Sequence, residues 1–333
     1  MSSRGTLTLA FGKPRYIEMA KSLARSLILH DPTLMSAIVT DSTDPELADL
    51  FTYRIDLRHE LGSKARQRMH LDLYTPFDET LFIDSDSLAV RSLDSFWTAF
   101  QAVPFGVCGV RTGETGESLD NPFLLDHFDV TALPKFSGAI YYFKRSPESA
   151  ALFTTARDLL LQASELQSTD SNHLSNTLSN ILDDDLCDEA FYSIAMAIHG
   201  LTATNMGGGG MWTAIDSTIR LALDIPNSIC TIVRRGGVFA PDILHLSAFT
   251  ESLFYLRECS RLEHLAQGHP ELTLAQELQL ITTATILWAR RKTMSALKHL
   301  QQLLRTSPTP TTRNTTAITA RPLLSPTERL HRA

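Results

Sequence analysis

The segment Leu81-Phe82-Ile83-Asp84-Ser85-Asp86-Ser87-Leu88-Ala89-Val90 joins an apolar run to two aspartates one residue apart. The run predicts a buried strand that ends in a pair of carboxylates, and residues i and i+2 of a strand leave on the same face. Two converging carboxylates are costly unless they share a proton or hold a cation. Mg²⁺ or Mn²⁺ suits such oxygen ligands and is usually shared with substrate phosphates. The alternative is a solvated turn, a setting that aspartate also favours.

The chain before this segment alternates short apolar runs with helical patterns. Strands are predicted over 6–11, 36–40 and 54–57, and helices over 16–30, 46–51 and 63–74. Strands that alternate with helices predict an α/β fold with a mostly parallel sheet flanked by helices. In such open sheets ligands collect at the carboxyl ends of the strands, where the two aspartates are expected.

The chain after this segment is less regular and becomes helical at its end. A short helix (92–100), strands (107–110, 137–143 and 243–246), helices (from 146 and over 189–199) and loops (111–135 and 205–210) are predicted. A long amphipathic helix is predicted over 271–305. We therefore expect a main domain at 1–250, a helical extension at 251–305 and a disordered Thr/Pro-rich tail at 306–333.

Composition restricts the possible partners and compartment. The 333 residues are 43% apolar and carry a net charge of −7, which argues against nucleic acid or an anionic membrane as the main partner. Four scattered cysteines fit a reducing, cytoplasmic setting. The amino terminus lacks a signal-peptide pattern, and no apolar run of about 18 residues predicts a membrane span.

A series of further signals surrounds the two aspartates. They are a Tyr16-led helix, a Lys64-led helix, the Asp-Ser-Asp segment, a Ser137-Gly138 strand, an Asp188-Glu189 helix start and a late strand with His245. In this order the chain, from about residue 5 to about residue 250, resembles a GT-A glycosyltransferase, most closely the glycogenin-like glycosyltransferase family eight. The resemblance implies metal-dependent, retaining transfer of a sugar, hexosyltransferase-like, from a nucleotide-diphosphate sugar. It favours a UDP-sugar donor and leaves the acceptor open among glycans, proteins and small molecules.

The resemblance implies a metal site for Mn²⁺ or Mg²⁺ at Asp84 and Asp86, with His245 as the third protein ligand. A histidine packed in the core is the alternative for His245. The chain departs from the family here, because His245 begins His-Leu-Ser-Ala and lacks the glycine of H-x-x-G. The family's following Lys-Pro-Trp is absent as well, so Arg234 or Arg235 is the candidate to replace its phosphate-contacting lysine.

The resemblance also implies a binding site for the nucleotide-sugar donor. Its residues are Phe11, Tyr16, Asp41, Lys64, Arg68 and Ser85. Tyr16 would stack on the base, with Phe11 lining the same pocket, and Asp41 would meet the base or ribose. Core packing and a turn cap are the alternatives for these residues. Lys64 would contact phosphates or the donor sugar, with Arg68 at i+4 on the same helical face. The alternative is a solvated basic face on which Arg68 pairs with Asp72.

The catalytic residues implied by the resemblance are Asp188 and Glu189. One of these carboxyls would contact the donor sugar, orient the acceptor hydroxyl or act as a base. The alternative is a pair of charges that complement the amino terminus of a helix. Phe136 stands where the family has an asparagine that contacts the sugar, so one usual contact is missing.

The sequence is also compatible with two other functions and with one assembly. A phosphohydrolase of the haloacid dehalogenase type would use Asp84 as its nucleophile and residues 183–185 as a late acidic motif, but that family places its D-x-D on the first strand. A non-catalytic sugar-nucleotide-binding protein is the other alternative. The exposed face of the long helix allows a homodimer.

Overall fold

The computed structural model describes residues 3–62, 65–109, 122–169, 187–207, 209–212, 219–234, 237–247, 249–269 and 271–306. The strands are β1 (Arg4–Leu9), β2 (Met35–Thr40), β3 (Tyr53–Asp56), β4 (Glu79–Ile83), β5 (Ser87–Ala89), β6 (Phe105–Gly109), β7 (Phe136–Lys144), β8 (Met211–Trp212), β9 (Arg220–Asp224), β10 (Ile229–Arg234), β11 (Gly237–Phe239) and β12 (Ile243–His245). The helices are α1 (Pro14–His30), α2 (Leu47–Leu50), α3 (Ala65–Arg68), α4 (Leu71–Tyr74), α5 (Asp94–Phe100), α6 (Pro122–His127), α7 (Pro147–Thr169), α8 (Cys187–Ile198), α9 (Leu253–Ala266) and α10 (Leu274–Thr306).

The central sheet has six strands in the order β3-β2-β1-β4-β7-β6. β1 pairs in parallel with β2 on one side and β4 on the other, and β7 alone runs antiparallel to its neighbours. The predicted α/β fold with a mostly parallel sheet and flanking helices is therefore confirmed. Because strand order reverses between β1 and β4, a crevice is expected at their carboxyl ends.

Helices bury both faces of this sheet through the alternation of side chains along its strands. Phe82 of β4 and Tyr141 of β7 belong to one apolar cluster, which includes Phe153 of α7. Leu81 and Tyr142, one residue along each strand, belong to a second cluster together with residues of α1 and α5. Successive strand residues point to opposite faces, so an unbroken apolar run suits a strand that is covered on both sides.

The Asp-Ser-Asp segment is a turn between two sheets. β4 ends at Ile83, the amide of Ser87 donates to the Asp84 carbonyl oxygen (3.0 Å), and β5 then joins a small sheet of order β5-β12-β8. The prediction that strand alternation places both aspartates on one face is wrong, because the chain bends immediately after Ile83. The turn itself directs their carboxylates to a common place.

Three other predictions need correction. The helix predicted over 63–74 is two short helices, α3 and α4, within the residues described there. The segment predicted as a loop over 111–135 contains α6, while residues 110–121 lie outside the described part of the chain. The antiparallel sheet β11-β10-β9 has no counterpart in the prediction.

The carboxyl-terminal part is helical, as predicted, through α9 and α10. The chain divides into two compact units, Met1–Thr285 and Ile286–Ala333, so the division falls within α10. The predicted domain boundaries stay a prediction, and the predicted tail lies outside the described residues beyond Thr306. None of the described helices combines the length and apolarity that crossing a bilayer requires.

The packing around Gly5 on β1 leaves no space for a side chain. A Cβ there would lie 2.5 Å from the Phe77 ring and 2.7 Å from the Met35 carbonyl oxygen on β2. Because the backbone oxygen cannot rotate away, Gly5→Ala should lower the free energy of unfolding by about 1–3 kcal/mol, measured by denaturant titration.

The matched control is Gly209→Ala, where the nearest atom to an added Cβ is 3.7 Å away. This variant should lie within about 0.5 kcal/mol of wild type. Equal stability of the two variants would contradict the packing described for β1.

Candidate active site

Backbone hydrogen bonds hold the Asp84–Ser87 turn against two strands. The Asp84 amide donates to the Ala139 carbonyl oxygen of β7 (2.9 Å), and the Leu246 amide donates to the Asp86 carbonyl oxygen (3.2 Å). In the small sheet, His245 is the register partner of Ser87. A histidine about 160 residues away in sequence is thus brought beside the two aspartates.

Asp84, Asp86 and His245 form a group that fits a divalent cation. One ligand atom from each lies within 4.8 Å of the others, with His245 Nε2 at 3.1 Å from Asp86 Oδ1 and 3.9 Å from Asp84 Oδ2. Asp86 Oδ1 is buried and receives no well-aligned hydrogen bond from the described residues. Two carboxylate oxygens and one imidazole nitrogen at these separations suit Mn²⁺, and Mg²⁺ less well. The geometry is what the predicted metal site requires, while the bound ion stays a prediction.

The ionisable groups of this cluster shift one another's pKa values. Burial raises the pKa of Asp84, and the neighbouring Arg68 guanidinium offsets only part of that effect. Burial also acts on Asp86, but the adjoining His245 imidazole holds the pKa of Asp86 below its ordinary value. Burial opposes protonation of His245, yet the Asp86 carboxylate raises the pKa of His245. Asp86 is therefore the carboxylate that stays charged most readily.

Arg68 connects the turn to the start of α8. Its guanidinium forms an ion pair with Asp84, and its Nη1 atom lies 3.3 Å from Asp188 Oδ2. The alternative in which Arg68 pairs with Asp72 is wrong, because Asp72 pairs with Arg157 at 2.7 Å. Arg68 thus faces the candidate site, whereas Lys64, predicted on the same helical face, lies outside the described residues.

Asp188 and Glu189 are held differently at the start of α8. Asp188 is fully buried, and the Tyr141 hydroxyl donates to its Oδ2 atom (3.0 Å). Glu189 Oε1 accepts a hydrogen bond from the Gly138 amide (2.6 Å). Position 138 requires glycine, because a Cβ there would lie 2.6 Å from the Tyr141 hydroxyl and 2.8 Å from Glu189 Cγ. The Ser137-Gly138 strand and the Asp188-Glu189 helix start therefore meet.

The pKa of the Glu189 carboxyl group lies near neutral pH. Burial raises the pKa of Glu189 to about 7; the Gly138 amide opposes this rise and the Asp188 carboxylate adds to it. A carboxyl group with such a pKa can hold or accept a proton near neutral pH.

Three of the predicted donor residues, Phe11, Asp41 and Ser85, follow the carboxyl ends of β1, β2 and β4. The Asp41 carboxylate accepts from the Gly12 amide (3.2 Å), which ties the end of β2 to the end of β1. Phe11 is partly buried against the core, and Ser85 is buried within the turn. Tyr16 is half-buried beneath the Arg15 guanidinium, 4.9 Å from its ring centroid. The roles of these residues stay predictions.

Arg234 does not stand open to a ligand. Its guanidinium lies 3.9 Å from the centroid of the Trp212 ring and 5.0 Å from that of Phe239, and the residue is 9% exposed. Arg235, the other replacement considered for the missing lysine, lies outside the described residues.

Two residues near the site escaped the sequence analysis. The exposed Arg15 donates a hydrogen bond to the Tyr16 hydroxyl (3.0 Å), and this bond, with smaller contributions from the charges of Glu251 and Asp86, raises the pKa of Arg15. Its place directly before Tyr16, at the start of a helix, was the available signal. The sequence predicts Tyr141 only as a core residue of a strand, and its role in the site appears only in its hydrogen bond to Asp188.

Comparisons with known proteins give matches among solved structures only. No protein-family model matches the chain, and neither does any curated protein. GlyE of Streptococcus pneumoniae TIGR4, a glycosyltransferase, aligns at 14% identity over 55% of this chain with a TM-score of 0.35. The chain spans 44% of the GlyE chain.

Two other solved structures align over more of their length. The galactosyltransferase LgtC, in complex with donor and acceptor sugar analogs, aligns at 12% identity over 81% of this chain and 98% of its own, with a TM-score of 0.48. Mouse xyloside xylosyltransferase 1 aligns at 12% identity over 74% of this chain and 98% of its own, with a TM-score of 0.41.

The Tyr141 hydroxyl gives a test of the buried charge on Asp188. Tyr141→Phe removes a hydrogen bond to a carboxylate and should lower the free energy of unfolding by about 1.5–3 kcal/mol. The matched control is Tyr192→Phe, which loses a 2.7 Å hydrogen bond to the neutral Arg68 carbonyl and should cost about 0.5–1.5 kcal/mol. A smaller loss for Tyr141→Phe, by denaturant titration, would contradict a charged Asp188.

The raised pKa of Glu189 predicts a pH-dependent stability. Between its unfolded value of 4.5 and its folded value of about 7, the folded chain binds more protons, so stability falls as pH rises. The unfolding free energy of wild type minus that of Glu189→Gln should fall by about 3 kcal/mol across this window.

Denaturant titrations at pH values on both sides of the window measure this difference. Glu60→Gln, which removes an exposed glutamate, serves as the control and should show no such slope. A constant difference for Glu189→Gln would show that Glu189 ionises normally.

Proposed function

We propose that this chain is a GT-A glycosyltransferase that moves a sugar from a nucleotide-diphosphate sugar to an acceptor with the help of a divalent cation. The observation that carries the proposal is the Asp84, Asp86 and His245 group beside the carboxyl ends of β1 and β4. Open α/β sheets bind ligands at this point, and carboxylates there are suited to a cation shared with phosphates. Membership of the glycogenin-like family eight is part of the proposal.

Departure of a nucleoside diphosphate builds negative charge on the leaving oxygen. Mn²⁺ or Mg²⁺ held by the three residues would supply a Lewis acid at that oxygen. Arg68 keeps Asp84 oriented through its ion pair and brings its own positive charge to the same place. One pair of unit charges at about 4 Å is worth about 4 kcal/mol at an effective dielectric near 20.

The donor would lie along the ends of β1 and β2. Phe11 and Tyr16 would face the base, Asp41 and Ser85 would hold ribose and phosphate, and Lys64 would contact phosphate or sugar. A UDP-sugar is the favoured donor, and transfer with retention is the favoured outcome. Both rest on the family resemblance.

Asp188 and Glu189 would act on the sugar side. Asp188 is buried and paired with Arg68 and Tyr141, so it suits a fixed contact that positions the donor sugar. Glu189, with a pKa of about 7, suits the exchange of a proton with an acceptor hydroxyl. The acceptor is a glycan, a protein or a small molecule, and a cytoplasmic location stays part of the proposal.

The phosphohydrolase alternative fits the site less well. Asp84 follows the fourth strand of the chain, and its carboxylate is engaged by Arg68 rather than free to attack phosphorus. The acidic run at 183–185 lies outside the described residues. The missing Lys-Pro-Trp and the Phe136 in place of asparagine keep the non-catalytic binding protein as the remaining alternative.

Thermal unfolding with UDP-, GDP-, ADP- and CMP-sugars, each with and without Mn²⁺, tests the proposal. A ligand at 100 times its dissociation constant should stabilise the fold by about 2.7 kcal/mol. We expect a shift with one nucleotide class, UDP first, that requires Mn²⁺. Asp86→Ala should abolish it, and the exposed-carboxylate control Asp56→Asn should keep it.

A complete absence of shifts would overturn the proposal. Acid-labile phosphate trapped on Asp84 would replace it with the phosphohydrolase. Donor binding without transfer to any acceptor would reduce it to a binding protein.

A further inference from the structure

The carboxyl-terminal part of α10, residues 286–306, exposes large apolar side chains, and we call it the basic helix segment. Ile286 is 62% exposed, Met294 50% and Leu297 47%. Their spacing of i, i+8 and i+11 places them along one helical face. Soluble chains seldom leave an apolar row open to water unless it meets a partner.

The same segment is strongly basic. It contains Arg290, Arg291, Lys292, Lys298 and Arg305 and no aspartate or glutamate, which gives it a charge of +5. Because the whole chain carries −7, the other residues carry −12. The negative net charge of the whole chain argues against an anionic membrane as a partner, but it does not describe this segment, whose own charge is positive.

We propose that the basic helix segment docks on an anionic lipid surface and lies in its plane. Apolar side chains on one face can enter the boundary between headgroups and acyl chains, while neighbouring arginine and lysine side chains reach the lipid phosphates. A helix of this length extends about 30 Å at 1.5 Å per residue, long enough to engage many headgroups. Such a helix binds without spanning the bilayer.

A second copy of this chain fits the segment less well. A symmetric contact in which residues 290–292 of the two helices face each other would bring Arg290, Arg291 and Lys292 of each copy near the same charges of the other. Like charges brought together oppose association, whereas anionic lipids attract each cation. Charge thus favours the lipid surface over such a symmetric contact, and an asymmetric contact with the acidic remainder of a second copy is an outcome of the test.

Co-sedimentation of the full chain with vesicles tests this inference. One set of vesicles contains phosphatidylcholine alone, and the other contains phosphatidylcholine mixed with phosphatidylserine. Wild type should bind the mixed vesicles only, and added salt should weaken the binding. The triple variant Arg290→Ala, Arg291→Ala, Lys292→Ala should lower the partition coefficient about 100-fold.

Two matched controls test whether binding depends on this segment rather than on exposed cations or exposed apolar side chains elsewhere. Arg54→Ala, Arg58→Ala, Arg220→Ala removes three exposed cations elsewhere and should bind as wild type. Ile286→Ser, Met294→Ser, Leu297→Ser should weaken binding, whereas Val238→Ser, 65% exposed on β11 and outside the segment, should not. Circular dichroism checks that each variant is folded.

Equal binding to both vesicle types, or binding to neither, would overturn the inference. So would light scattering that finds a wild-type dimer which the Ile286, Met294 and Leu297 variant dissociates. None of these measurements uses a sugar donor, so their outcome is independent of the proposed transferase activity.

Discussion

The ion pairs of Arg68 with Asp84 and Asp188 are the interaction on which the candidate site depends. They join α3 and the turn after β4 to the start of α8, which lies 120 residues beyond Arg68 in the sequence. A charge taken out of water costs several kcal/mol unless partners surround it, so each carboxylate needs the guanidinium and the guanidinium needs both carboxylates. The Tyr141 hydroxyl adds to this network from β7. The arrangement therefore fixes the site as a unit rather than as separate residues.

The sheets explain why these residues meet. The parallel pairing of β1 with β2 and β4 brings three strand ends to one edge of the central sheet. The small sheet then returns the chain to this edge, because β12 pairs with β5 and carries His245 beside Ser87. The short strand β5 thus has a positional role: it begins where the turn ends and sets the register of the third candidate ligand.

Features that depend on neighbouring residues, such as the strands and the aspartate turn, could be predicted from the sequence. The apolar runs identified β1, β2, β4 and β7, and the two aspartates identified the turn as a candidate cation site. Contacts across long sequence distances were not predictable in this way. The i, i+4 spacing predicts an ion pair between Arg68 and Asp72. In the structure α3 ends at Arg68, and Asp72 forms its ion pair with Arg157. The strands β9, β10 and β11 were missed, although Ile229, Cys230, Ile232 and Val233 give β10 an apolar run that could have identified it.

The balance of charge gives a physical reason for a divalent cation at the turn. Within the described part of the chain, Arg68 and His245 are the basic groups in contact with Asp84, Asp86 or Asp188, and Glu189 lies beside them. A histidine that binds a metal is neutral. With His245 neutral and Glu189 protonated, the three aspartates face the Arg68 guanidinium with an excess of two negative charges. A buried excess of this size is costly, and a nucleoside diphosphate alone would add to it. A divalent cation would offset it, so in the proposed reaction a diphosphate donor would bind together with the metal rather than before it.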